Sequence, residues 1–245
     1  MCEEKIASIT LQNIYKRNDP SDFTLRVKRL EFDSRGVHVI VGANGSGKST
    51  FLKLLSGLTN KDQGSIVFNR THRSRYNRDL RGIQKRIGFV MQNPYLFNTT
   101  VFENVALGLK IRGVSKRETS SRVNNTLKKM MIGHLSKRRS RYLSRGESQK
   151  VAIAQVLVFE PNVILMDEPT ANIDRESTML IEGLIKDLQR RDNSIVIITT
   201  HSLSQARRLS EKAISIREGE VCADVRGDYY PGDLDTLSRE RVESI

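Results

Sequence analysis

Cysteine is scarce in this sequence, acidic residues are outnumbered, and long apolar runs are missing. The two cysteines among 245 residues, Cys2 and Cys222, lie far apart, and neither belongs to a Cys-x-x-Cys or Cys/His cluster. That argues against a disulfide framework or a zinc site and fits a reducing compartment. No apolar stretch approaches the roughly 18 residues that span a bilayer. The opening residues, Met-Cys-Glu-Glu-Lys, lack the hydrophobic segment of a secretory signal. The expectation is a soluble chain that reaches a membrane only through a partner. Internal repeats and low-complexity blocks are also missing.

Twenty-eight acidic residues stand against 41 basic ones, a net charge of +13, so an anionic partner or surface is expected. The basic residues concentrate in Arg70 to Arg86 and in Lys137 to Arg145. Neither run has the aromatic interleaving of a platform for single-stranded nucleic acid. Solvated basic faces near lipid or nucleotide are the plainer reading, with specific nucleic-acid binding as the alternative.

The apolar fraction, 38%, suffices for a core in a chain of this length. Alternating apolar and polar residues over Ile6 to Ile14 and Phe23 to Phe32 predict antiparallel strands joined by a turn at Asn18-Asp19-Pro20-Ser21. Val37 to Val41 reads as a buried strand, and Thr50 to Gly57 has helical spacing with a glycine stop. Strands are further predicted at Gly64 to Phe68, Ile87 to Gln92, Val163 to Met166 and Ser194 to Thr199. Helices are predicted at Val101 to Leu109, Val123 to Met131, Glu176 to Arg191 and Ser202 to Ser210. A hairpin is expected around Glu218-Gly219, followed by a loose polar tail beyond Gly227. The fold class is α/β. The expected organisation is an N-terminal antiparallel β subdomain with an α/β core over 1–92 and 160–226, and a helical subdomain at 93–159 inserted between strands.

Between the Val37 strand and the next helix lies Gly42-Ala43-Asn44-Gly45-Ser46-Gly47-Lys48-Ser49-Thr50, which satisfies G-x-x-x-x-G-K-[ST] in its required context of strand, loop and helix. Glycines let the backbone curl until its N–H groups surround phosphates, and the helix adds its positive end. Lys48 would reach the outer phosphates, and the Ser49 hydroxyl would ligate Mg²⁺. A second element is Val163-Ile164-Leu165-Met166-Asp167-Glu168, an apolar strand ending in two carboxylates at the edge where parallel sheets bind ligands. Asp167 would hold the Mg²⁺ shell through water, leaving Glu168 free to polarise a water. Capping of a strand end is the bland alternative, but adjacent ionised carboxylates repel unless a cation sits there.

Other candidates are weaker alone. His201 follows the Ser194 to Thr199 strand, and its position at another sheet edge favours a role at the same site over a structural one. Gln92 ends the Ile87 strand and reads either as a water and Mg²⁺ ligand or as a polar cap. Tyr15 ends the first strand, where its ring would stack on adenine or pack in the core. Ser144 to Glu147 fits the S-x-x-E capping box ahead of a helix running to Pro161. That segment is either an ordinary capped helix or, through the Ser144 hydroxyl and Gly146, a second anion site.

Taken together, GANGSGKST, Gln92, LSRGESQKVAIAQ at 143–155, VILMDEPTANID at 163–174 and His201 resemble, in order and over nearly the whole chain, the ATP-binding subunit of ABC transporters. The resemblance implies a RecA-like phosphate-loop core and hydrolysis of ATP with Mg²⁺. Glu168 would act as base, His201 would hold the γ-phosphate and attacking water, and Gln92 would sense the metal. It also implies that Leu143, Ser144, Arg145, Gly146 and Glu147 close the ATP site of a second subunit, in the simplest case an identical copy, with Asp174 at the dimer contact. A separate integral permease would dock beside Gln92, where Asn93-Pro94-Tyr95-Leu96-Phe97 offers an exposed turn, and would hold the chain at the cytoplasmic face of the membrane. The short chain end after the core resembles the importer arrangement of prokaryotes, with an extracytoplasmic solute-binding protein as a further partner. MQNPYLFNTTVFENVALGL is most similar to subunits serving small oxyanions such as tungstate. No direct nucleic-acid contact is expected on this reading. The net charge keeps open a soluble ABC-type ATPase acting on nucleic acid or ribosomes, although tandem halves, a coiled-coil insertion and zinc modules are all lacking.

The chain departs from the family pattern in three places. Arg145 stands where Leu-Ser-Gly-Gly-Gln has its first glycine, which puts a cation in the first helical turn, unfavourable against the helix dipole until an anion arrives. Ala171-Asn172-Ile173-Asp174 replaces Ser-Ala-Leu-Asp but keeps the aspartate, and Lys150 and Gln155 replace arginines. None of these changes removes a catalytic group.

Overall fold

The computed structural model describes residues 6–17, 23–33, 36–70, 75–76, 80–192, 194–210 and 212–226. The expected turn at Asn18 to Ser21, Cys2 and the tail beyond Gly227 lie outside these residues. In chain order the elements begin with β1 (Ile6–Arg17), β2 (Thr24–Asp33), β3 (Val37–Val41), α1 (Lys48–Leu55), β4 (Gln63–Arg70), β5 (Arg75–Tyr76), α2 (Leu80–Gln84) and β6 (Ile87–Val90). The helices α3 (Val101–Ile111), α4 (Lys116–Lys129) and α5 (Arg145–Leu157) follow, with short 3-10 turns at Gly133–Leu135 and Ser140–Tyr142. Then come β7 (Val163–Asp167), α6 (Arg175–Asp192), β8 (Ile195–Thr200), α7 (Leu203–Leu209), β9 (Lys212–Arg217) and β10 (Glu220–Arg226).

The ten described strands join one sheet, in the order β5-β4-β1-β2-β10-β9-β3-β8-β7-β6. The half from β9 to β6 is parallel, whereas β1 pairs antiparallel with both β2 and β4. Strands of the parallel half are largely apolar because both faces are covered, and β7 and β8 turn polar only at their C-terminal ends, at Asp167, Thr199 and Thr200. Val39, Val41, Ile164, Met166, Val196 and Ile198 meet α3, α5, α6 and α7 through residues such as Leu109, Ile153, Ile181 and Ala206. On the other face Ile40, Leu165, Ile195 and Ile197 meet Phe51, Leu52 and Leu55 of α1 and reach Leu25 and Phe32 of β2. Each such side chain contributes about 1.5–3 kcal/mol through burial, so the sheet edge that carries the polar groups is held between two apolar layers.

Several expected boundaries move, each for a local reason. Helix α1 starts at Lys48 rather than Thr50, since Gly47 adopts φ 109 and serves as its N-cap. Strand β6 stops at Val90, which leaves Gln92 in the following loop. Helix α4 starts at Lys116, seven residues ahead of the apolar spacing that announced it, because the Ser115 side chain accepts a hydrogen bond from the Glu118 N–H and caps a wholly polar first turn. Strand β1 runs on to Arg17, so Tyr15 sits within the strand opposite Arg26 and not at its end. An irregular step at Asn13, with φ 50, shifts the β1–β4 register. It allows Ile9, Leu11 and Ile14 all to be buried and leaves Tyr15 half-buried.

The end of α5 packs close to β6 at Gly88, where a β-carbon would come within 2.2 Å of the Val156 side chain and 3.0 Å of the Pro161 ring. Both neighbours are short and stiff, so they cannot swing aside. Gly88→Ala is therefore predicted to lower stability by about 1–3 kcal/mol, despite the general preference for alanine over glycine in a strand. Urea unfolding of the two proteins measures this, and a stability equal to or above that of the parent would contradict the packing described.

Candidate active site

Three strand ends converge at the site. The loop Gly42 to Gly47 leaves β3, residues Asp167 and Glu168 end β7 and follow it, and His201 follows β8. Because β3, β8 and β7 are parallel neighbours in register, their C-terminal ends deliver these groups to one edge. The loop curls until the Ser46 N–H donates to the Ala43 carbonyl at 3.2 Å. Two glycines are required by their surroundings. At Gly47 the backbone is left-handed and a β-carbon would lie 2.5 Å from the Phe23 ring; at Gly42 it would lie 2.5 Å from the Ile216 carbonyl oxygen.

Lys48 is turned inward, with its side chain only 5% exposed. Its Nζ donates to the carbonyls of Gly42 at 2.8 Å and Ala43 at 3.0 Å and lies 3.2 Å from Oε1 of Glu168. The other oxygen of Glu168, Oε2, lies 2.8 Å from Nδ1 of His201 and accepts from Nε2 of Gln92 at 3.5 Å. One carboxylate, itself 7% exposed, thus gathers Lys48, His201 and Gln92, three groups singled out in the sequence. Its backbone is left-handed, with φ 44.

Thr199, the penultimate residue of β8, orders the two carboxylates. Its hydroxyl donates to Oδ1 of Asp167 at 2.7 Å and accepts from the Glu168 N–H at 3.0 Å. Asp167 is thereby fixed in the buried layer, while Glu168 projects toward Lys48. Nothing local in the sequence marks Thr199 for this; parallel pairing of Asp167 with Thr199 puts it there.

A cavity of about 530 Å³ opens over the loop, lined among others by Asn44, Gly45, Lys48, Ser49, Thr50, Gln92 and Glu168. Phe23 closes one side and also borders a second cavity of about 480 Å³ that continues toward Arg26 and Glu220. The aromatic at the loop is therefore Phe23, whereas Tyr15 lies outside the lining of both cavities and places its ring 5.9 Å from the Arg26 guanidinium. The hairpin turn between β9 and β10 buttresses the loop from the same side. The Gly219 N–H donates to the Ser46 carbonyl at 3.1 Å, and the Gly219 carbonyl accepts from the Arg26 N–H at 2.8 Å. Sequence reading found the turn but had no signal for its contact with the loop. The Ser46 hydroxyl is buried and without a partner among the described residues.

The segment 143–147 lies apart from the lining of this cavity. Ser144 caps α5 as expected: its hydroxyl accepts from the Glu147 N–H at 3.2 Å, and Glu147 accepts from the Ser144 N–H at 2.7 Å. Arg145 is exposed at the first helical position. Gly146 is buried against the start of α6, where a β-carbon would lie 2.7 Å from Oδ2 of Asp174 and 2.8 Å from the Ser177 hydroxyl. Asp174 caps α6 by accepting the Ser177 N–H at 2.7 Å, and that bond holds its carboxyl below the usual carboxylate range. Leu143 packs half-buried against the helical core. The chain thus presents two polar surfaces, the phosphate loop with its carboxylates and the paired starts of α5 and α6.

Comparison with known proteins places this geometry. A family model described as ABC transporter matches residues 25–171. The chain is 36% identical to the tungstate uptake system ATP-binding protein of Peptoclostridium acidaminophilum, over 87% of this chain and 96% of that one. It is 35% identical to the molybdate/tungstate import ATP-binding protein of Methanocaldococcus jannaschii, over 82% of this chain and 66% of that protein. Against several other curated relatives the chain spans 57% to 62% of their length. Among solved structures, a dimeric post-hydrolysis state of an ATP-binding cassette bound to ADP and phosphate superposes with a TM-score of 0.78 at 29% identity, covering 89% of this chain and 98% of the other. The chain accordingly belongs to the ABC transporter family, as one of its ATP-binding, ATP-hydrolysing subunits.

Proposed function

We propose that two copies of this chain enclose two MgATP molecules and that their closing and opening drives import of a small oxyanion through a separate membrane permease. The observation that carries the reading is the convergence of Lys48, Gln92 and His201 on the Glu168 carboxylate beside a glycine-rich loop. Backbone N–H groups of Gly45 to Thr50, with the N-terminal end of α1, suit the phosphates, and the unpartnered Ser46 hydroxyl points to a polar ligand at the loop. Lys48 is the cation for the outer phosphates. Phe23, rather than Tyr15, offers the apolar surface next to the loop for a base.

Among the described residues no group of three or more His, Cys, Asp or Glu could hold a metal by itself. That suits Mg²⁺, which keeps waters and is bound through one or two protein groups plus phosphate oxygens. Ser49, Gln92 and Asp167 are the residues to hold it, Asp167 through water, and the ion would neutralise charge developing on the γ-phosphate. Glu168 orients and deprotonates the attacking water, and His201, bonded to Glu168, holds the γ-phosphate and that water. Positioning and charge stabilisation supply the rest of the acceleration.

Ser144, Gly146 and Arg145 face the triphosphate of the second copy, with Asp174 at the same contact. The dimeric cassette superposed above supports that arrangement. Beyond Gln92, Tyr95 and Phe97 are 72% and 49% exposed with their rings stacked edge to face at 5.5 Å, and they suit a permease partner. No described helix is long and apolar enough to cross a membrane; on this reading a separate permease supplies the spanning segments and this chain sits on its cytoplasmic face. A solute-binding protein outside the membrane completes the assembly. The oxyanion assignment rests on the tungstate and molybdate relatives.

Glu168→Gln is expected to bind ATP but to lower turnover by about 10²-fold or more, and to accumulate as an ATP-bound dimer on size-exclusion chromatography. Turnover near the parent rate would remove Glu168 from its role. Arg145→Gly is expected to raise the KM for ATP several-fold, on the order of 1 kcal/mol, and to flatten the dependence of rate on salt. An unchanged rate with the parent's salt dependence would show that Arg145 makes no contact with the nucleotide.

A further inference from the structure

Thr170 lies in the short segment that leads from Glu168 to the cap of α6, and two residues of that segment have left-handed backbones although neither is glycine. They are Glu168, with φ 44, and Asn172, with φ 59. Each such conformation costs about 1 kcal/mol or more and persists only where the surroundings hold it. Part of the hold is local: the Ala171 N–H donates to the Glu168 carbonyl at 3.0 Å. Thr199 holds the Glu168 N–H at 3.0 Å, and α7 adds a contact further along the segment. Nε2 of Gln205 donates to the Thr170 hydroxyl at 2.5 Å and to Oε1 of Glu182 at 3.0 Å. Gln205 and Glu182 are only 4% and 8% exposed.

The polarity of this chain of bonds is determined from its far end. Arg208 grips Glu182 with two parallel bonds, Nε to Oε2 at 2.9 Å and Nη2 to Oε1 at 2.7 Å, a bidentate geometry of high directional specificity. The Arg208 hydrogen bonds also hold the Glu182 carboxyl below the usual carboxylate range, so it faces Gln205 as an acceptor. Only the nitrogen of the Gln205 amide can then turn toward it, and the second hydrogen on that nitrogen is left for Thr170. Helix α7 begins just after His201, whose ring meets Glu168 at 2.8 Å. The two segments that carry His201 and Glu168 are therefore tied at the His201 and Glu168 side chains, through the Thr199 hydroxyl, and behind them through Gln205 and Thr170.

We propose that Gln205 is a positioning residue for ATP hydrolysis: oriented by the Glu182–Arg208 pair, it holds Thr170 and so sets Glu168 against His201. The proposal rests on the reading of Glu168 and His201 as the hydrolytic groups. Gln205 touches neither nucleotide nor water, and its effect is on kcat and not on ATP affinity. Gln205→Met keeps the length of the side chain but removes the donor, whereas Gln205→Glu sets a second carboxylate against Glu182.

The test compares kcat, KM and ATP affinity for the full chain, for both Gln205 variants, for Glu168→Gln, for Thr170→Val, and for a double variant carrying Gln205→Met with Thr170→Val. The expected result is a kcat reduced at least about tenfold in Gln205→Met and Gln205→Glu, with KM and ATP affinity within about twofold of the parent. Thr170→Val removes the accepting hydroxyl at similar volume, and because both changes break one contact, the double variant is expected to lose no more kcat than Gln205→Met alone. A parental kcat in both Gln205 variants would overturn the proposal, as would losses that simply add in the double variant. Parallel loss of kcat, affinity and thermal stability would overturn it too, since it would mark a merely structural role. Parental turnover in Glu168→Gln would instead remove the underlying reading of the hydrolytic groups, and the proposal with it.

Discussion

An ammonium and a carboxylate, both almost out of water, face each other at 3.2 Å between the phosphate loop and the end of β7. Neither charge is stable there alone: removing one partner of a buried pair costs about 3–5 kcal/mol because the other is left uncompensated. The loop must curl far enough for the Gly42 and Ala43 carbonyls to reach the same ammonium. The chain must also leave β7 with a left-handed residue so that Glu168, and not Asp167, turns toward Lys48. Thr199 enforces that split by binding the Asp167 carboxylate and the Glu168 N–H with a single hydroxyl. On the proposed mechanism a triphosphate competes with Glu168 for Lys48, so engagement of the phosphate and release of the base toward water are one event.

The helical segment between β6 and β7 answers a different requirement. It buries Leu109, Val123, Leu127 and Ile153 in one apolar layer with the sheet, yet it places its polar end, Ser144 to Glu147, away from the cavity its own chain forms. There Gly146 meets Asp174, so the starts of α5 and α6 form one surface. In this chain the Ser144 hydroxyl already accepts the Glu147 N–H, and the exposed group beside it is the Arg145 guanidinium. A surface of this kind suits a triphosphate presented by another copy, and that requirement links the two halves of the account.

Much of this was legible in the sequence wherever the signal is local. The strand, glycine loop and helix around Lys48, the apolar strand ending in Asp167 and Glu168, the capping box at Ser144 and the position of His201 each lie within a dozen residues. What escaped depends on pairing across the sheet. Tyr15 looked like a strand end, but the irregular step at Asn13 and the extension of β1 to Arg17 keep it inside the strand and away from the loop, where Phe23 sits instead. Thr199 and the Gly219 turn reach the site only because β8 and β9 flank β3. Helix α4 carried a readable start in Ser115-x-x-Glu118, outweighed by the absence of apolar spacing in its first turn. Gln205 offered no sign at all, since its contact with Glu182 is made across to another helix.

Completion of each hydrolytic site by a second copy of the chain is the requirement on which the proposed function turns. Its most direct measurement is the ATPase rate per chain at saturating MgATP over a wide range of protein concentration, with sedimentation reporting the association state alongside. The account predicts a rate per chain that rises with concentration as dimers form and then levels off. A rate that stays constant down to dilutions where only single chains sediment would contradict it.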